Sequence, residues 1–491
     1  MREARRMFVR AFGVLGVLLV ACGGSGGDPT EDGGVPTGRD SGGGDAEPSV
    51  DAGPEDRDAS TSVDAGAPPS RAWEPLPWED CEGGGRTLEA GPDDYRAVLD
   101  TLEPGDVLRL RAGDYARGLP MRRSGEEGRC LVVEALDPSA RPRFLGSNAF
   151  NVIAIHGASW LKIRNLDVDG LGMAGFGVAS QGGTEQPTHH VVIEGLRMVG
   201  LGGDQQIVGI STKSPASDWV IRGNRIEGAG TGLYLGNSDG AQPFVRGLIE
   251  YNTVLDPIGY AMQIKHQNAR PAGMPTGDTI VRHNVFAKTR NASTGGNARP
   301  NVLFGHLPTI GDGADDRYVV YANLFFDNAT ENLLQAEGNL VIFANAFVNP
   351  SGGAISIQPH NDVPREVDLL FNTVIATGRG VSIRGGAAGF RQRARYNAIF
   401  AGTPLATDDA EENVVGTYEE ASSRLRAPHA AAGSLDLHPN DPSALAIEVG
   451  DAIPEGAELD FEGHARTDGV AGAFVSTEGA ALRLDAPPVP R

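Results

Sequence analysis

From Leu161 onward the chain repeats one short text: alternating apolar and polar residues, an asparagine, one further residue, and an apolar pair. Its asparagines are Asn165, Asn224, Asn252, Asn284, Asn323, Asn345, Asn372 and Asn397, and the steps between the last seven are 28, 32, 39, 22, 27 and 25 residues. A second alternating run follows each asparagine strand, as at 232–235, 261–264, 301–304, 332–335, 354–357 and 380–383. Period-two alternation marks strands with one inward face, and Gly and Asn between them suit sharp turns. Helical periodicity is nearly absent. A unit of ~22–30 residues holding several strands cannot close a core alone and must stack on its neighbours. The expected fold is all-β: a single-stranded right-handed parallel β-helix, a solenoid, over residues 73–416. The asparagines share one register at the bend after a strand, so they read as a ladder of inward amides with a structural role. A propeller needs four strands per ~40–50 residues with blade signatures, and a leucine-rich repeat needs its own leucine spacing; neither pattern is present.

The N-terminus has the parts of an export signal: Arg2, Arg5, Arg6 and Arg10, then an apolar stretch from Phe12 to Val20 too short to span a bilayer. Leu19-Val20-Ala21-Cys22 resembles the lipobox of bacterial lipoproteins. The resemblance implies removal of residues 1–21 and acylation of Cys22, the alternative being an ordinary signal peptide with a chance cysteine. Gly23 resembles the outer-membrane sorting pattern, so the expected location is the envelope of a Gram-negative bacterium, with the membrane contacted through lipid on Cys22. Residues 22–72 are rich in Gly, Asp, Ser and Pro, with eleven acidic side chains from Asp28 to Asp64 against Arg39 and Arg57. Such a segment buries too little apolar surface to repay ordering and reads as a disordered acidic tether. With Cys22 lipidated, Cys81 and Cys130 are an even pair in an oxidising compartment, so a disulfide between them is expected, the alternative being two buried thiols. The formal net charge of −22 argues against nucleic acid as a partner.

Pro104-Gly105-Asp106, followed by Leu110, Gly113 and Tyr115, is similar to the opening strand of the pectate-lyase-like right-handed β-helix superfamily. Near the end, Asp460, Gly463 and Arg466, then Gly472-Ala473-Phe474, resemble a closing motif of many bacterial members. The resemblance covers roughly residues 85 to 475 and implies the fold more strongly than any activity. Residues 417–491 are expected to form a β-rich C-terminal cap and tail, covering the open end of the last coil.

The long repeat steps leave extra residues at about 266–279, 288–300 and 307–317, the natural walls of a groove, and loops on a rigid scaffold are where binding residues gather. Aligning the second strands puts Ile264, Phe304, Leu334, Ile357 and Ile383 inward. The adjacent outward column then holds Gly236, Lys265, Gly305, Gln335, Gln358 and Arg384, with Gln263 and Ser356 two residues before Lys265 and Gln358. Gly236 and Gly305 are expected to leave space for a ligand. Lys265 stands out because the chain has four lysines against thirty-eight arginines, and a desolvated lysine can act as a base where an arginine rarely can. His266 and His306 would be close on successive coils. The plainer alternatives are a solvated lysine and a histidine stack at a turn.

The segment Met262 to Gln267 resembles the base-bearing strand of the chondroitinase-B-like and alginate-lyase-like polysaccharide lyases. That resemblance implies Lys265 as base, removing the proton α to a uronate carboxylate. The family's arginine on the next coil is replaced by Gly305-His306, so the acid role falls to His306, Arg282 or Arg317, with His266 assisting. Gln263, Gln335, Gln358, His360 and Arg384 are the candidate substrate-binding residues. No metal site is expected: a Ca²⁺ cofactor is compatible with the family but lacks a compact ligand set, since Asp312, Asp315 and Asp316 read as a solvated turn. The pair His189-His190 lacks metal-ligand spacing and reads as surface. The expected partner is a polysaccharide. The leading expectation is a carbohydrate-active surface protein, a lyase on uronate-containing glycans. The alternative is a non-catalytic glycan-binding or structural lipoprotein.

Overall fold

The computed structural model describes Trp78 and residues 81–450, 452–466 and 469–485. The signal, Cys22 and the tether lie outside the described residues, as do the first residues of the expected β-helix and the extreme C-terminus.

The strands stack in parallel from Thr87–Ala90 to Val414–Gly416, giving the expected right-handed parallel β-helix. Each coil contributes to three strand columns. The first column is one sheet; its strands include Leu248–Glu250, Thr279–Arg282 and Tyr318–Tyr321. The second column begins just after each ladder asparagine, as at Thr253–Leu255 and Val285–Ala287. The third carries Val208–Thr212, Thr231–Leu235, Met262–Ile264, Val302–Phe304, Leu334–Ala336 and Ile355–Ile357. The second and third columns join into one sheet through the long strand Thr373–Ile383.

The asparagines form the ladder read from the sequence. Each Oδ1 accepts the backbone N–H and the amide of the ladder asparagine one coil earlier, at 2.8–3.0 Å, from Asn252 to Asn397. Asn413 extends it by one coil. The residue before the asparagine has positive φ at Tyr251, His283, Ala322, Ala344, Phe371 and Tyr396. The ladder holds that strained bend, which non-glycine residues adopt only when their surroundings over-determine it. A second, shorter ladder at another turn links Asn301, Asn328 and Asn349.

Apolar side chains from all three columns fill the lumen, with Phe286, Phe325 and Phe347 stacked on successive coils. A short helix, Tyr95–Leu99, adds Tyr95 and Leu99 to this core at its N-terminal end. In the opening motif Gly105 has φ +91°, and the Asp106 carboxylate accepts the N–H groups of Arg86 and Glu103. Cys81 and Cys130 are joined by a disulfide.

The C-terminal segment differs from the expected cap. It is mostly irregular, with one antiparallel pair, Leu425–Ala427 and Asp436–Pro439. It lies along the outside of the coils, where Leu437, Phe461 and Phe474 share a second core with Val319, Phe343, Phe371 and Tyr396. Asp485 reaches back to Arg225 through its backbone carbonyl. The closing motif is the clasp: Asp460 accepts the N–H groups of Glu462 and His464, and the Arg466 guanidinium lies 4.3 Å from the Phe371 ring. Outward apolar residues on several coils supply a continuous surface to cover, which an open coil end does not.

Candidate functional site

The third column positions the candidate groups. Strand register pairs Leu235 with Ile264, Ile264 with Phe304, Phe304 with Ala336, and Ala336 with Ile357. Ala336, not Leu334, therefore continues the inward column, and Gln335 belongs with Gln263 and Ser356. The outward column at the strand ends is Gln181, the last residue of Val178–Gln181, then Lys213, Gly236, Lys265, Gly305, Glu337, Gln358 and Arg384, each just after its strand. Lys213 and Glu337 thus join Lys265, and the sequence reading had neither.

Lys213 and Lys265 flank the Tyr234 ring, their ammonium nitrogens 4.0 and 5.9 Å from its centroid. Tyr234 is the outward residue of its strand, paired with Ser211 and Gln263. Neither ammonium has a carboxylate within ion-pair distance among the described residues, whereas Lys162 bonds Glu82 at 2.9 Å. Burial pulls the Lys213 amine down to about 8, with Lys265 adding repulsion. Burial also holds Lys265 below the ordinary lysine value, while the Glu337 charge works the other way. Burial pushes the Tyr234 hydroxyl up to about 12, so the ring stays neutral.

His266 and His306 stack, ring centroids 5.3 Å apart. Burial, then Lys265 and His306, keep His266 below its usual pKa and therefore neutral near pH 7, and its Nδ1 is buried without a partner. His306 Nδ1 lies 3.0 Å from the Leu307 carbonyl. Glu337, 1% exposed, organises the turn beyond them. Its carboxylate accepts the N–H groups of His306, His360, Asn361 and Asp362 at 2.8–3.1 Å.

Gly236 and Gly305 do not leave space for a ligand. A Cβ on Gly305 would stand 2.3 Å from the His266 nitrogen, and one on Gly236 3.2 Å from the Lys265 Cβ. The missing side chains admit the neighbouring coil itself. The loops after Lys265 and Gly305 pack together, with Gln267 N–H on the His306 carbonyl and Arg270 on Asp316 at 2.6 Å. Asp316 is buried in that pair, so it is not the solvated turn residue expected.

The other candidates disperse. Arg282 lies on the first sheet, where it bonds Glu250 at 2.6 Å and the Tyr321 hydroxyl at 2.9 Å. It belongs to a ladder of alternating charge with Arg222 and Glu250 and does not meet Lys265. Arg317 pairs with Asp278 at 2.6 Å and lines a cavity of about 610 Å³ with Asp312, Pro454 and Glu455. Arg384 donates to Gln358, Gln335 to Glu331, and Gln263 is buried. His360 is exposed, near enough to His266 to depress it. His189 and His190 are not in a loop. They lie in the strand Thr188–Glu194, half-buried, with His190 stacked 3.9 Å from the Trp160 ring. No group of three or more His, Cys, Asp or Glu side chains disposed to hold a metal occurs among the described residues.

No protein-family model matches the sequence, and no curated protein sequence does. Solved structures resemble the fold. An alginate lyase from Paenibacillus sp. str. FPU-7 is 16% identical with TM-score 0.40, over 56% of this chain and 97% of that one. The GH136 lacto-N-biosidase from Eubacterium ramulus is 12% identical with TM-score 0.42, over 68% of each. A mannuronic acid specific polysaccharide family 6 lyase from human gut microbiota is 14% identical with TM-score 0.36, over 67% and 83%.

Proposed function

We propose that this chain is an exported, lipid-anchored protein that binds an acidic polysaccharide across its third strand column and cleaves it by β-elimination. The observation that carries the reading is the pair Lys213 and Lys265, two desolvated amines on one tyrosine ring without carboxylate partners. Two partly buried cations beside one ring favour an incoming carboxylate, and the Lys265 charge lowers the affinity of Lys213 for its proton.

Lys213, against the ring of Tyr234, is the fixed cation that neutralises the uronate carboxylate. Lys265, adjoining the two imidazoles, is the base. It takes the proton α to the carboxylate; that electron pair forms the carbon–carbon double bond, the bond to the glycosidic oxygen breaks, and the oxygen leaves with a proton. His306 supplies that proton. The pKa of Lys213, about 8, would make it the stronger base candidate, so the assignment of the base to Lys265 rests on its position and not on its titration. The imidazole assigned to return a proton, His306, follows Gly305, the residue opposite Lys265 on the next coil.

The test is the absorbance of unsaturated uronate products on a panel of polyuronates and glycosaminoglycans. Lys265→Ala is expected to lower kcat by at least a hundredfold, and Lys213→Ala to raise KM more than it lowers kcat. Activity that survives Lys265→Ala removes the assigned base. Binding without any turnover in the native protein favours a glycan-binding role.

A further inference from the structure

The outward column that carries Lys213 and Lys265 continues toward the N-terminal coils. Gln181 is paired with His156, and Met121 with Ile155, which sets Arg122 beside His156. There the surface deepens into a cavity of about 530 Å³. Arg96, Arg117, Arg122 and His156 line it, and none of its lining residues is acidic. That is unusual in a chain of net charge −22, where most cations on the coils have a carboxylate at hand. Arg117 and Arg122 have no ion pair or side-chain hydrogen bond among the described residues. Arg96 is spent on the Arg117 carbonyl, at 2.7 Å, which fixes the backbone carrying that guanidinium. Burial, with Arg122 beside it, holds His156 below its ordinary value, so the arginines supply the charge.

The remaining lining is suited to a sugar. Asn148 and Asn151 turn their oxygens to the N–H groups of Ala174 and Phe176, at 2.9 Å each, which leaves both amide NH₂ groups as donors. Phe150 is 37% exposed and gives a flat apolar face. Unpaired guanidiniums, amide donors and an aromatic plate are the groups that hold a ring bearing an anionic substituent.

We propose that this cavity is a second, separate binding site for an anionic sugar, a carboxylated or sulfated residue, held by Arg117 and Arg122. In this column Arg122 lies three coil steps from Lys213 and five from Lys265, roughly 14 and 24 Å at ~4.8 Å per step. A glycan engaged at the lysine pair can therefore reach it only as an oligosaccharide of several residues. The site does not require the lysine pair to be catalytic.

The experiment is calorimetric titration of the native protein with trigalacturonate, a sulfated chondroitin disaccharide, inorganic sulfate, and a neutral maltotriose control. The same titrations are made on Arg117→Ala/Arg122→Ala and on Lys265→Ala. At least one anionic probe is expected to bind at least tenfold more weakly in the double-arginine variant, and that arginine-dependent binding is expected to persist in Lys265→Ala. The neutral trisaccharide is expected not to bind. Preference between the carboxylated and sulfated probes identifies the substituent. Both arginines are exposed, so the fold should survive, and an unchanged melting profile checks this. Equal binding by the double variant, equal binding of maltotriose, or no binding of any anionic probe at millimolar concentration would each overturn the proposal. Loss of binding in Lys265→Ala alone would move the ligand to the lysine pair and leave this cavity without a role.

Discussion

Replacing Asn284 by alanine should be among the most damaging single changes in the protein. Its side chain is fully buried and makes five hydrogen bonds. Oδ1 accepts the Asn252 backbone N–H and the Asn252 amide, both at 2.9 Å; Nδ2 donates to the carbonyls of Ile249 and Arg282 and to Asn323 Oδ1, at 2.8–2.9 Å. Alanine leaves two donors on Asn252, its backbone N–H and one amide hydrogen, without an acceptor in a space closed to water. A buried group so orphaned costs about 1–3 kcal/mol, and with two such groups the lower bound is about 2 kcal/mol. His283, with φ +53°, loses the bond network that holds its bend. Guanidinium unfolding followed by circular dichroism reads the loss, with Asn361→Ala as control. The Asn361 side chain is exposed, and its change should stay within about 0.5 kcal/mol. A cost below about 1 kcal/mol for Asn284→Ala would refute the ladder as the device that holds the turns.

Glu337→Gln removes the charge that four backbone N–H groups share, and should destabilise the fold by about 2–4 kcal/mol in the same unfolding assay. Because Glu337 favours the charged amine of Lys265, the variant should also show a lower Lys265 pKa by NMR titration. Lys288 is buried, with its amine on the Arg299 carbonyl at 2.7 Å and its pKa pulled down to about 7 by burial. Its folded pKa lies below its unfolded value, so the unfolded chain binds the extra proton between about pH 7 and the ordinary lysine range near 10.4. The penalty is complete below about pH 7, and stability should rise with pH through that window, at up to about 1.4 kcal/mol per pH unit; Lys288→Met should flatten the rise in denaturation curves taken at pH 6 to 10. The Cys81–Cys130 disulfide spans 49 residues, so the Cys81→Ser/Cys130→Ser variant should lose about 4 kcal/mol on the chain-entropy estimate. Alkylation followed by mass measurement should find the two thiols only after reduction.

The inward asparagine ladder was legible because an apolar strand that ends repeatedly in asparagine has few other uses for that amide. The second ladder was not, because Asn301, Asn328 and Asn349 stand at unequal distances from the strands they border. Column assignment failed at one coil. Placing Leu334 opposite Phe304 keeps the apolar alternation intact, and a slip of two residues is invisible to a period-two pattern. That slip put Gln335 in the place of Glu337. Lys213 follows Ser211-Thr212 as Lys265 follows Gln263-Ile264, and this correspondence of strand ends was the available signal. Gly236 and Gly305 were recognised as small, but only the backbone positions show that the next coil fills the space. The path of residues 417–485 depends on outward apolar residues from several coils, and no local pattern encodes it.

The central claim is that Lys213 and Lys265 are two desolvated amines sharing one site. With four lysines in the chain, side-chain NMR of selectively labelled lysine can follow each amine from pH 6 to 12. Lys213 should titrate near 8, Lys265 below the ordinary value, and Lys213 should move upward in Lys265→Met as its neighbour's charge is removed. If both amines titrate near 10.4 and Lys213 does not respond to Lys265→Met, they are solvated and independent, and the site as described does not exist.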